Sequence, residues 1–125
     1  MTKSFIALAA LLAALVGPAH GAGEIGAFRD TVVEKFTADD LALMHARIDQ
    51  ALAAEKDGET LAWKSDKTKA SGSVTALNRL TWNGLACRRV QIVNTYDTLK
   101  GSGAYKFCEK PAGSWKLVGP DPAPR

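Results

Sequence analysis

"CRRVQIVNTYDTLKGSGAYKFC", residues 87–108, begins and ends on the only two cysteines of the chain. Such a segment is a stapled hairpin, a redox pair or half of a metal site, and each choice implies a different fold around it. Counting by twos from Val90 and Ile92 puts Cys87 on the opposite strand face, with Arg89 and Gln91. Counting from Tyr105 and Phe107 puts Cys108 opposite, with Lys106. Both cysteines then sit on the polar face of one hairpin as cross-strand neighbours, and the apolar face stays free to receive helices. A redox pair is normally close in sequence, as in C-x-x-C, because the second thiol must resolve a mixed disulfide. A zinc site needs three or four ligands, and beyond the N-terminal apolar segment only Cys87, Cys108 and His45 are soft ones. The reading is a structural Cys87–Cys108 disulfide. It closes a loop of about 22 residues and is worth on the order of 3 kcal/mol by the chain-entropy model.

Strand and turn signals extend on both sides of this hairpin. "ETLAWK" predicts a first strand, "SDKTKA" a polar turn, "SGSVTALNRLTW" a second strand, Asn83–Gly84 a tight turn and "LACRRVQIV" a third strand. "NTYDTLKGSG" reads as a loop, "AYKFCEK" as a fourth strand, "PAGS" as a turn and "WKLV" as a fifth. Short connections imply antiparallel pairing. Before Asp57 the period is helical: Phe28, Val32, Val33 and Phe36, then Leu41, Met44, Ile48 and Leu52. These spacings predict a short helix over 27–36 and a longer one over 38–55, with Thr37 as N-cap, Asp39 and Asp40 as cap acids, and Gly58 closing the second. The fold class is therefore α+β: an N-terminal helical segment packed on one face of a small, roughly five-stranded antiparallel sheet stapled by one disulfide.

The opening "MTKSFIALAALLAALVGPAHGAGE" has Lys3 as its only formal side-chain charge before Glu24, an apolar run from Phe5 to Val16, and Gly17 and Pro18 as breakers. That order is a secretory signal peptide. The run is short of the roughly 20 residues a permanent spanning helix needs. Small residues at Ala19 and Gly21 place cleavage before Ala22, and no cysteine near the site offers a lipid anchor. The organisation expected is a signal peptide at 1–21, a helical segment at 22–56, the sheet at 57–118 and a proline-rich flexible tail at 119–125, with 22–118 one domain. Localisation follows as periplasm or cell surface, where a disulfide persists. No transmembrane segment is expected after processing.

Four pieces of the second half, "DGETLAWK" (57–64), "SGSVTAL" (71–77), "NGLACRR" (83–89) and "FCEKPAGSWKLV" (107–118), stand in an order that resembles the C-terminal domain of the bacterial 17-kilodalton outer-membrane surface antigen family. There a helical segment precedes a small antiparallel sheet with a tryptophan strand, a G-x-V strand, a G-x-x-C-R strand and a final C…G-x-W unit. The resemblance implies an envelope protein without catalysis. This chain lacks the lipobox and the glycine-rich segment of the best-known members, so roles that rest on lipid anchoring do not carry over.

No catalytic set is visible. His45 and Asp49 are one helical turn apart, the spacing of a general base and its orienting acid, and equally of a solvated pair. No serine lies in G-x-S-x-G, and the "GSG" at 101–103 lacks the lysine and helix of a phosphate loop. Trp63 and Trp115 share faces with Leu61 and Leu117 and read as core, whereas Trp82 beside a turn is the one able to be exposed. No metal or cofactor is expected.

Charge is the remaining feature. Residues 22–56 hold four basic and seven acidic side chains, net −3, and residues 57–125 eleven basic and six acidic, net +5. Arg88, Arg89, Lys106, Lys110 and Lys116 lie on or beside the last three strands, with Lys64, Lys67 and Lys69 in and after the first. They form a candidate patch for an anionic partner, such as an acidic polysaccharide or a lipid headgroup, or else an ordinary solvated face. Nucleic acid is not an expected partner of an exported chain whose aromatics are committed elsewhere. The functional expectation is an exported, non-catalytic envelope protein that binds or packs against another envelope component. The alternative is a small periplasmic inhibitor or binding module acting on an envelope hydrolase such as lysozyme, inserting the loop at 94–105.

Overall fold

A computed structural model describes residues 31–111 and 113–120. The predicted signal peptide, the first part of the predicted 27–36 helix and the end of the tail lie outside these residues. The described chain is one helix, α1 (Ala38–Ala53), followed by β1 (Thr60–Lys64), β2 (Ala70–Trp82), β3 (Leu85–Tyr96), β4 (Leu99–Glu109) and β5 (Trp115–Pro120). The strands form one antiparallel sheet in the order β1-β2-β3-β4-β5, each pairing with its sequence neighbours. The α+β class, the single helix layer on one sheet face and the disulfide are as the sequence predicts. No helix among the described residues is long and apolar enough to cross a membrane.

The ends of α1 are built by side chains. Thr37 accepts the Asp40 backbone N–H at 3.2 Å while Asp40 accepts the Thr37 N–H at 3.0 Å, a reciprocal capping box. Asp40 is fully buried and also accepts the Thr68 hydroxyl at 2.9 Å, which ties the start of the helix to the β1–β2 turn. Met44, Ile48, Ala51 and Leu52 form the buried stripe. They meet Trp63, Val74, Ala76, Val90, Ile92, Tyr105 and Phe107 in one core cluster. Arg47 pins the helix to β1 by donating to the Ala62 carbonyl at 2.9 Å. Trp63 packs edge-on to Phe36, with ring centroids 5.3 Å apart. It lies so close over Gly72 that a Cβ there would come within 2.7 Å of the indole nitrogen and 2.5 Å of the Val93 carbonyl.

Four expectations are corrected. Within 31–36 the first helix is a single 3-10 turn at Val33–Lys35, and Phe36 is already extended; Thr37 opens the next helix immediately, leaving no room for another turn. The segment 94–103 is not a loop, because β3 runs on to Tyr96, β4 begins at Leu99, and Tyr96 pairs with Leu99 across Asp97 and Thr98. Asp97 takes the positive φ of 55° that the tight turn requires. The tail starts later than expected, since Gly119 and Pro120 belong to β5. The fourth correction concerns Arg88 and bears on the candidate site.

Candidate functional site

Among the described residues, the sheet has one face under α1 and one face without a helix over it. Register decides which residues share each. Leu80 pairs with Cys87, Cys87 with Cys108 and Cys108 with Lys116, a row across four strands. The disulfide sits in its middle, with Cα atoms 4.0 Å apart and both cysteines buried. The next row joins Arg89 to Lys106. Lys100, opposite Thr95, and Lys64, opposite Ser71, continue the same face toward its other end. By this alternation the strands contribute Lys64, Arg89, Lys100, Lys106 and Lys116 to the open face, together with Ser71, Ser73, Thr75 and Gln91, and no Asp or Glu.

Trp82 stands at the disulfide end of this face, 39% exposed. The Lys106 ammonium lies 4.5 Å from its ring centroid, a cation–π contact. Arg89 donates to the Asn78 side chain at 3.4 Å across the β2 bulge between Ala76 and Arg79. Arg89, Lys106 and Lys116 of the candidate patch therefore share one face of the sheet. Lys110 stands just past β4 in the turn, its N–H bonded to the Ser114 carbonyl at 2.7 Å, at the rim of the patch.

Arg88 leaves the patch. It is 0% exposed and belongs to the covered face, in alternation with Val90 and Ile92. Its guanidinium donates to the Ala54 carbonyl, to Lys56 O at 3.3 Å and to Asp57 Oδ1 at 3.1 Å. Arg79 donates to the same Ala54 carbonyl at 2.6 Å. The last turn of α1 has no basic residue of its own. The two arginines supply from the sheet the donors and positive charge that a helix C-terminus lacks. Burial, then the neighbouring Arg79 cation, pull the Arg88 pKa below its ordinary value, with Asp57 and Glu59 opposing them. The parity count that put Cys87 opposite Val90 contained this result, because Arg88 is two residues before Val90. Charge alone suggested a surface position.

His45 Nε2 is buried with no hydrogen-bond partner among the described residues, and no bond joins His45 to Asp49, so the helix carries no such dyad. No group of three or more His, Cys, Asp or Glu among the described residues is placed to hold a metal. Trp63 is buried in the core and Trp115 packs partly against it, as their faces predict. Lys100 is the residue that the loop reading of 94–103 concealed, for only a strand gives it a face. No protein-family model, curated protein or solved structure matches the chain.

Proposed function

We infer that this chain is an exported, non-catalytic domain of the cell envelope, of the surface-antigen type, which docks an anionic envelope component on the open face of its sheet. The single observation that carries this reading is the charge of that face: five basic side chains, contributed by four of the five strands, and no carboxylate among them. Cations spread over a rigid sheet attract an extended anion without needing a deep pocket. Trp82 adds an exposed ring at the end where the charges are densest. The apolar run at 5–16 and the disulfide support export. The order of the four sheet motifs supports the surface-antigen resemblance. The inhibitor alternative called for a long inserting loop, and the segment it relied on is strand and tight turn.

Sedimentation of the oxidised protein with alginate and with phosphatidylglycerol vesicles tests the reading and separates the polysaccharide from the lipid source. Binding to one of them at low salt is expected, with a loss of at least about tenfold in the Lys106→Glu, Lys116→Glu double variant. No binding to either at low salt sinks it.

A further inference from the structure

On the covered face the helix stops before the sheet does. Thr81 pairs with Ala86, and Glu109 pairs with Trp115. Ala86 and Glu109 are the residues next outward from the Cys87–Cys108 pair. The row Thr81, Ala86, Glu109, Trp115 thus crosses four strands just beyond the last turn of α1. It floors a cleft of about 490 Å³, walled by Leu52 of the helix and by Arg79, with Leu80 and Cys87 of the cystine row completing the lining. That volume lies within the range of small-ligand sites.

The cleft holds unspent polar chemistry. Among the described residues the Glu109 carboxylate, the Thr81 hydroxyl and the Trp115 indole N–H take part in no hydrogen bond or ion pair. Arg79 uses one nitrogen on Ala54 and keeps its other donors. Arg79 and Glu109 line one cleft, and no ion pair among the described residues joins them. A strongly anionic ligand meets Glu109 and a cationic one meets Arg79, which leaves a neutral ligand that both donates and accepts. Leu52 and Ala86 add a small apolar surface, and Trp115 adds an aromatic ring.

We propose that this cleft binds an N-acetylated hexosamine unit of a glycan. The sugar's C–H face suits the indole, the acetamide N–H suits the Glu109 carboxylate, and the acetamide carbonyl suits Arg79 or Thr81. The acetyl methyl suits the Leu52 and Ala86 surface. None of the basic residues of the open face lines the cleft, and the proposal does not rest on the function inferred above.

Titration of the oxidised, isotope-labelled protein with tri-N-acetylchitotriose, followed by amide and indole NMR, tests it. Saturable shifts of the Trp115 indole and of the Thr81, Ala86 and Glu109 amides are expected. Maltotriose, which lacks acetamido groups, should bind about tenfold more weakly or worse, and Glu109→Gln should weaken the chitotriose by a similar factor, since a hydrogen bond to a charged group is lost. Ala86 is exposed, so Ala86→Leu should keep the fold, confirmed by an unchanged melt, and abolish binding by filling the floor. Lys106→Glu, at a residue that does not line the cleft, should leave it unchanged. No saturable shift at the Trp115 indole, equal binding of maltotriose, or full binding by Ala86→Leu each overturns the proposal. Retention of Lys106-dependent anion binding in that event leaves the reading of the open face standing.

Discussion

Arg88 and Lys106 are two cations on one hairpin with opposite fates, and the difference is a single step of strand parity. Reversing the charge of Arg88 puts a buried carboxylate against the carbonyls that end α1, where the helix dipole is negative. Arg88→Glu should therefore destabilise by at least about 3 kcal/mol, the cost of an uncompensated buried charge. Lys106→Glu, on the open face, should stay within about 1 kcal/mol of wild type in the same denaturant titration. Equal stability of the two variants contradicts the placement of Arg88. Asp40 is the buried charge at the other end of the helix. Burial by itself raises its pKa, but the Thr37 backbone N–H and the Thr68, Ser65 and Thr37 hydroxyls outweigh it and hold the carboxyl below its ordinary 3.8. A lowered folded pKa adds stability above the unfolded value, and that stability is lost as pH falls through the folded one. Asp40→Asn should cost about 1–2 kcal/mol at neutral pH. The gap between variant and wild-type melts should narrow below pH 3.8; a gap that persists there contradicts the sign.

The elements were legible in sequence wherever a period or a cap dominates. The 3.6-residue stripe from Leu41 to Leu52 behind Thr37 gives α1, and alternation gives the strands on either side of Asn83–Gly84, whose two positive φ angles make the tight turn. The failures share one cause. "NTYDTLKGSG" is composed of turn-forming residues, yet only Asp97 and Thr98 turn, because the β3–β4 ladder continues to Tyr96 and Leu99 and sets the register. Its Gly103 serves packing: it lies under Tyr105, where a Cβ would meet the phenol oxygen at 3.1 Å. The cleft beyond α1 was illegible for a different reason, since its row joins residues 81, 86, 109 and 115 through three registers. The same helix stripe supplies the test at this scale. Met44 is 0% exposed and Ile48 4%. An aspartate at either position leaves an unpaired charge in the core, which costs several kcal/mol. Met44→Asp should abolish the cooperative thermal transition, whereas Asp49→Ala on the exposed side should leave it in place. A tolerated Met44→Asp contradicts the packing of α1 on the sheet.

At the scale of the molecule, one thin layer of helix covers one face of a single sheet, and among the described residues no second layer covers the other face. Each large apolar side chain buried between them contributes roughly 1.5–3 kcal/mol, but the conformational entropy of a chain this size opposes nearly all of that. A net stability of about 5–15 kcal/mol is usual for such domains. The disulfide, spanning 21 residues of sequence separation, then weighs heavily at about 3 kcal/mol. Among the described residues no helix covers the face on which it lies, and there it joins the neighbouring strands β3 and β4. The apolar run at 5–16 and the staple are thus two parts of one expectation: the fold reaches full stability in an oxidising compartment. Protein recovered from the exported fraction of its own cell should have lost residues 1–21, begin at Ala22 or Gly23, and contain no free thiol by mass after alkylation. Reduction should lower its melting temperature by roughly 10–20 °C, and the Cys87→Ala, Cys108→Ala double variant should melt at the reduced value with or without reductant. Exported protein carrying two alkylatable thiols, or a melt indifferent to reductant, contradicts the structural role of the cystine and with it the support it gives to export.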